Sequence, residues 1–195
     1  MAIDSYMAFQ QHTGGAWLDS ESQVDFSHHT EPLMNTPSAL TQGKIFEVED
    51  FSFDIEQTLN IGSSASGAGA GKVTFNPFSI TRKIDKASPL LLQMACSGTP
   101  FETVVLALAN TAGGANPATG LVYLRFDFKL VAVKTISWSY AAGSPKEVVT
   151  FEYGGLQVRY SPQNPNGTLA TPVQEGWNRV RNVQDTSSGP LPTAL

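Results

Sequence analysis

The chain has 195 residues, of which 41% are hydrophobic and 15% charged, and its net charge is −5. That length supports one domain with a sizeable core, and low charge with abundant Val, Ile, Phe and Thr fits a β protein that hides surface in an assembly. It has no basic stripe to bind nucleic acid, no apolar run near the ~20 residues of a membrane-spanning helix, and a single cysteine, which excludes an intrachain disulfide.

The opening Met-Ala-Ile-Asp has neither a positive n-region nor an apolar h-region, so no signal peptide is expected. A short strand is predicted at Tyr6–Phe9. The stretch from Gln10 to Gly43 follows, long and polar, with Pro32 and Pro37. Residues 1–43 contain no Lys or Arg but carry Asp4, Asp19, Glu21, Asp25 and Glu31, which account for the whole charge imbalance. A loop this long is unusual unless it is functional or covered by a partner. Trp17, Phe26, Leu33 and Met34 could tack it to the body. His28 and His29, with Glu31 and His12, form the one cluster that hints at a metal. Adjacent histidines on an extended loop point apart and lack a third spaced ligand, so a solvated loop is expected and no metal or cofactor.

From Ile45 apolar residues alternate. Phe46 and Val48 share one parity, then Phe51, Phe53 and Ile55 the other. The same slip recurs from Val73 and Phe75, across Asn76-Pro77, to Phe78, Ile80 and Ile84. It recurs again from Val149, Phe151 and Tyr153, across Gly154-Gly155, to Leu156, Val158 and Tyr160. Phase slips of one residue are what bulges and bends produce in curled sheets.

Between the first two slips lies GSSASGAGA, Gly62 to Ala70, followed by Gly71-Lys72. A phosphate-binding loop needs a Gly five positions before that pair, Ser or Thr after the Lys, and a helix beginning there. The chain has Ser66, then Val73, then a strand. The loop is therefore a flexible connector or an arm that orders on assembly. A helix follows, with Ser88 as N-cap, Pro89 in the first turn and Gly98 as stop. Cys96, among Leu, Met and Ala, reads as a buried inert thiol. Further strands are expected at Phe101–Asn110, at Gly120–Thr135 with Arg125, Asp127 and Lys129 on a solvent face, at Ile136–Tyr140, at Glu147–Tyr160 and around Gly176–Val183. The sequence DTSSGPLPTAL reads as a disordered tail. Trp138 and Trp177 read as core or interface packing. No G-x-S-x-G is present, and no enzyme activity is expected.

Three segments together carry a family pattern. They are AGAGKVTFNPFSITRKIDKASPLLLQMACSG, VTFEYGGLQVRYSPQNPNGT and GWNRVRNVQ. Their order and spacing resemble the haemolysin co-regulated protein (Hcp) family, the tube proteins of bacterial type VI secretion, over roughly Lys44 to Gln184 and the opening MAIDSYMAF. The resemblance implies a mainly β fold, a closed β-barrel of two curled antiparallel sheets with one short α-helix packed outside. Residues 1–184 would form that single domain, with a long acidic insertion at 10–43, an assembly arm at 61–72 and a disordered tail at 185–195.

It also implies a homohexameric ring, rings stacked into a tube, and a spike, sheath and baseplate as partners. Effectors would be held in the lumen, with no nucleic acid and no stable membrane insertion. The protein would reside in the bacterial cytoplasm before firing and then be secreted without a signal peptide. In that frame Gly62, Ser63, Ser64, Ala65, Ser66, Gly67, Ala68, Gly69 and Ala70 form the arm. Ser52, Asp54 and Glu56 are a plain solvent face or line the lumen. Lys83, Asp85 and Lys86 meet a neighbouring ring or cap the helix. The alternatives are a tail-tube protein of a phage-like contractile particle and a monomeric β-barrel binding module.

Overall fold

The computed structural model describes residues 3–12, 14–26, 41–60, 69–110, 120–141 and 143–187. Among them the elements are β1 Ile3–Gln11, β2 Phe46–Val48, β3 Asp50–Ser52, β4 Ile55–Asn60, β5 Gly69–Phe75, β6 Phe78–Lys83, α1 Ser88–Ser97, β7 Phe101–Asn110, β8 Leu121–Ala141, β9 Ser144–Tyr160, β10 Val173–Asn178 and β11 Val183–Gln184. The fold is mainly β with one short helix. Nine strands make one antiparallel sheet along the path β11-β10-β9-β8-β7-β1-β2, with β6 and β3 branching from β9. Strands β4 and β5 make a separate two-stranded sheet, and the hydrogen-bonded path ends at β2 and β11 without closing.

The long strands β8 and β9 are the spine. They pair from Leu124 opposite Tyr160 to Ala141 opposite Ser144, while the other edge of β9 is shared between β6, opposite Lys146–Phe151, and β10, opposite Gly155–Tyr160. The expected strands at Gly120–Thr135 and Ile136–Tyr140 are thus one strand. The slip expected at Gly154-Gly155 is a bend made by both spine strands together. Core parity on β8 passes from Leu124, Phe126 and Phe128 to Val131 and Val133 across Leu130, which sits at φ 49° opposite Gly154. Because both strands switch at one point, the ladder keeps its register. A true bulge follows between Val133 and Thr135 and returns Ile136 to the inner face.

The inner face is packed with aromatic rings. Phe78 stacks on Phe128 with centroids 4.3 Å apart, and Phe53 meets Phe78, Phe126 and Phe128 edge-on. Helix α1 lays Leu91 and Met94 onto this core. Those two positions, i and i+3, define its buried face, and Cys96 falls on the other side and is exposed, contrary to the buried thiol expected. Ser88 is not the N-cap either. Ala87 occupies that position without a side-chain hydrogen bond. The capping side chain is two residues upstream, where Asp85 Oδ1 accepts the Ala87 N–H at 2.9 Å. Gly98, at φ 68°, ends the helix by donating its N–H to the Met94 carbonyl at 3.0 Å.

The outer face is covered too. Tyr6, Ala8, Val105, Ala107, Ala109 and Val122 form a second apolar cluster with Phe26 and Ile45, against which Trp17 and Val24 pack. Part of the long polar stretch therefore lies on the sheet, pinned by the Leu18 N–H to the Phe9 carbonyl at 2.9 Å and the Ser20 N–H to the Gly43 carbonyl at 2.7 Å. The solvent face expected for β8 is buried. Arg125 and Asp127 are each 1% exposed and Lys129 6%.

Candidate functional site

An isolated two-stranded hairpin is marginal in water, and its unpaired outer edges are templates for another chain. The β4–β5 hairpin is a separate two-stranded sheet with such edges, anchored at its base by Phe75, which is buried in the core. It pairs Ile55 with Phe75 near its base and Asn60 with Gly69 at its far end. Gly69 and Ala70 of the expected arm lie in β5, while Gly62 to Ala68, like His28, His29 and Glu31, lie outside the described residues. The strand expected at Phe51–Ile55 is split. Ser52 ends β3 on the main sheet and Glu56 belongs to the hairpin, with Asp54 between them; all three are exposed. Asp54 is tied to the start of the next strand by Asn76 Nδ2, at 2.6 Å.

Lys83 and Lys86 are exposed, but Asp85 is drawn into a buried ion cluster that the alternation pattern did not reveal. Arg82 is 1% exposed and Glu147 0%, although both occupy inner-face positions directly opposite each other on β6 and β9. Arg82 Nε donates to Glu147 Oε1 at 2.9 Å, and its Nη2 reaches Asp85 Oδ1 and Ser88 Oγ at 3.1 Å each. Its guanidinium also lies 5.1 Å from the centre of the Phe46 ring. The second Glu147 oxygen accepts the Trp138 Nε1–H at 2.8 Å. Buried charges need such full satisfaction. The legible signal was a lone Arg and a lone Glu, each in phase with the apolar alternates of its strand.

A second cluster lies on the outer face. Asp127 takes Arg125 at 3.0 Å, and Arg159 approaches it at 3.4 Å. Burial pushes the Lys129 ammonium below its ordinary 10.5, with Asp127 opposing and Arg125 and Arg159 reinforcing. Part of the cover is the chain's own end. Strands β10 and β11 fold over at a turn where Asn178 Oδ1 accepts the Arg181 N–H at 3.0 Å and Asn182 sits at φ 56°. The Thr186 carbonyl accepts Gln157 Nε2 at 2.8 Å, so the first residues of the predicted tail are docked. A Cβ on Gly176 would meet the Asp185 carbonyl at 2.2 Å, which explains glycine there. The GWNRVRN segment is thus a turn with one close backbone approach.

Two depressions among the described residues border these elements. A cleft of about 670 Å³ is rich in carboxylates from Asp4, Glu21, Glu47 and Glu49. Burial, helped by Asp4 and Glu47, pushes the Tyr6 hydroxyl up to about 12. An apolar groove of about 450 Å³ lies between Ile55 and Phe75 of the hairpin and Leu156, Val158 and Trp177 of the sheet. Among the described residues, no group of three or more His, Cys, Asp or Glu could hold a metal ion, and no helix is long and apolar enough to cross a membrane.

Comparison with known proteins places these surfaces in context. A family model described as the type VI secretion system effector Hcp matches residues 39–160. Protein hcp1 of Pseudomonas aeruginosa is 36% identical over 116 residues, 58% of this chain and 69% of that protein. Among solved structures, a type six secretion system protein superposes with a TM-score of 0.73 at 24% identity, covering 94% of this chain and all of the other. Hcp1 from Salmonella typhimurium gives 0.60 at 18% identity, covering 95% of this chain and all of the other.

Proposed function

Because this chain belongs to the Hcp family of type VI secretion proteins, we propose that it works as a ring-forming subunit of the secretion tube, six copies to a ring and rings stacked end to end. The observation that carries this reading is the β4–β5 hairpin, a two-stranded element outside the main sheet with the small-residue segment at its tip. Such a hairpin gains its order from an adjoining subunit or ring. Residues 61–72 are then the contact arm. Lys83 and Lys86 remain candidates for ring-to-ring contact, whereas Asp85 serves the helix cap within its own subunit.

Within each subunit the sheet closes into a barrel through the bend at Glu49. Strand β2 pairs with β1 and β3 with β6, and the Glu49 N–H donates to the Thr81 carbonyl at 2.9 Å. That closure encloses the aromatic core. Exposed Ser52, Asp54 and Glu56 line the ring's lumen and hold effector proteins by weak polar contacts, with no catalytic residue. The protein waits in the cytoplasm and leaves with the spike, effectors and tube when the sheath contracts. Electron microscopy and light scattering test this directly. Six-membered rings are expected, and a chain that stays monomeric at all concentrations overturns the reading. Replacing Ser63 to Ala70 with a bulky charged segment should leave the subunit folded while weakening rings or stacks, and unchanged assembly removes the arm.

A further inference from the structure

The carboxylate-rich cleft of about 670 Å³ is lined both by the sheet and by the segment that covers its outer face. Asp4 and Tyr6 share one face of β1, and Tyr6 stands directly opposite Glu47 of β2. Glu21 and Val24 come from the covering segment. Charge compensation inside the cleft is incomplete. Arg82 is engaged by Glu147 and Asp85, and Lys146 pairs with Glu49. That leaves Lys83, among the described residues lining the cleft, against the carboxylates of Asp4, Glu21 and Glu47. Glu21 accepts the Lys86 N–H at 3.1 Å and Glu47 the Ser22 hydroxyl at 3.0 Å, each through one oxygen. Asp4 makes no hydrogen bond or ion pair among the described residues.

A second feature points to a ligand. Tyr6 is only 7% exposed and its ring is held edge-on by Phe26, yet its hydroxyl has no hydrogen-bond partner among the described residues. It lines the same cleft. A nearly buried hydroxyl is costly to leave unpaired unless something from outside supplies the partner. Burial first, then Asp4 and Glu47, push its ionisation up to about 12, so it stays neutral and offers lone pairs to a donor.

The group that satisfies this cleft carries positive charge and several donors. It is not a metal ion, since no set of three or more His, Cys, Asp or Glu among the described residues could hold one. A guanidinium fits, with five N–H donors in a rigid plane, no acceptor, and a fork that matches carboxylates. We propose that the cleft binds an arginine side chain presented by a partner protein, its guanidinium donating to Asp4, Glu47 and the Tyr6 hydroxyl and its stem lying along Val24. The volume of about 670 Å³ leaves room for the peptide backbone that carries it. The site is complete within one subunit, so it goes beyond the ring reading and is tested apart from it.

The test titrates the full chain with a blocked glycine–arginine–glycine peptide, followed by NMR. Saturable shifts are expected in β1 and β2, and the same peptide with citrulline in place of arginine should not produce them. Tyr6→Phe should weaken binding roughly five-fold, and Asp4→Asn or Glu47→Gln about ten-fold each, while Glu175→Gln outside the cleft changes nothing. Tyr6→Phe keeps the ring against Phe26, so its urea midpoint should not fall. A marked fall would mean that the hydroxyl already has a structural partner, and overturns the proposal. So does a peptide that fails to bind, or one bound equally by Asp4→Asn. Methylguanidine binding as tightly as the peptide overturns the protein partner in favour of a small molecule. Displacement of the peptide by equimolar magnesium or calcium overturns the guanidinium assignment.

Discussion

The two faces of the spine are both buried, but by different means. The inner face is filled by large rings from distant strands, Phe9, Phe78, Phe101, Phe128 and Phe151, all fully buried. The outer face carries small residues, Ala8, Ala107 and Ala109, which let a covering segment approach, and beside them a row of charges. The inner face is built by the sheet and helix; the outer face depends on chain with little regular structure of its own. Close packing of rings penalises any void, whereas a loosely held cover can shift or admit water. Damage should therefore propagate globally from the inside and locally from the outside.

The sharpest way to break the inner face is Glu147→Ala. It leaves Arg82 buried without its counter-ion and unties Ser88 and Trp138, and it should cost about 4 kcal/mol of unfolding free energy by urea titration. A loss below ~1 kcal/mol means Arg82 finds water or another acid, and the face is not sealed. On the outer face, Phe26→Ala removes the ring that meets Tyr6 edge-on, with centroids 5.2 Å apart. About 3 kcal/mol is expected, near the lower end for such truncations because the cover can settle inward. Hydrogen exchange should quicken in residues 14–26 before β7. Equal quickening in both would merge the two faces into one cooperative unit. Asp127→Asn should cost about 2 kcal/mol, less than Glu147→Ala, because the Arg159 side chain is already 14% exposed and can hydrate.

How much of this was legible follows the same division. The inner face announced itself in alternation. Phe78 and Ile80, and Val149 and Phe151, lie at the buried positions their parity predicts, and the phase slips marked real bends. The outer face did not. Arg125, Asp127 and Lys129 looked like a solvent face because period-2 alternation reports which residues share a side, not whether that side is covered. The signal for double burial was in β7, where VVLALA offers no polar alternate. Trp17 and Phe26 were legible as tacks only because they are large apolar residues in a polar stretch, and Val24 was not legible at all, since an irregular cover obeys no repeat. Of the surface features, the Gly/Ala/Ser loop was visible by composition. The groove was not, because it joins β4, β5, β9 and β10 from distant parts of the chain.

The smallest effect lies where the faces meet solvent. Glu152 on β9 accepts Lys134 of β8 at 2.9 Å and Arg179 of the β10–β11 turn at 3.0 Å. The Lys134 hydrogen bond foremost, then that of Arg179, holds its carboxyl below the ordinary 4.5. A carboxylate depressed on folding stabilises the fold above its unfolded value, and loses that contribution as pH falls through the folded one. The stability difference between the natural chain and Glu152→Gln should thus be constant above 4.5 and shrink as pH falls below it. The side chain is 38% exposed, so screening should hold the difference under ~1 kcal/mol and added salt should reduce it further. A difference that persists in acid would show that Glu152 acts through packing rather than charge, and that even this rim belongs to the sealed interior.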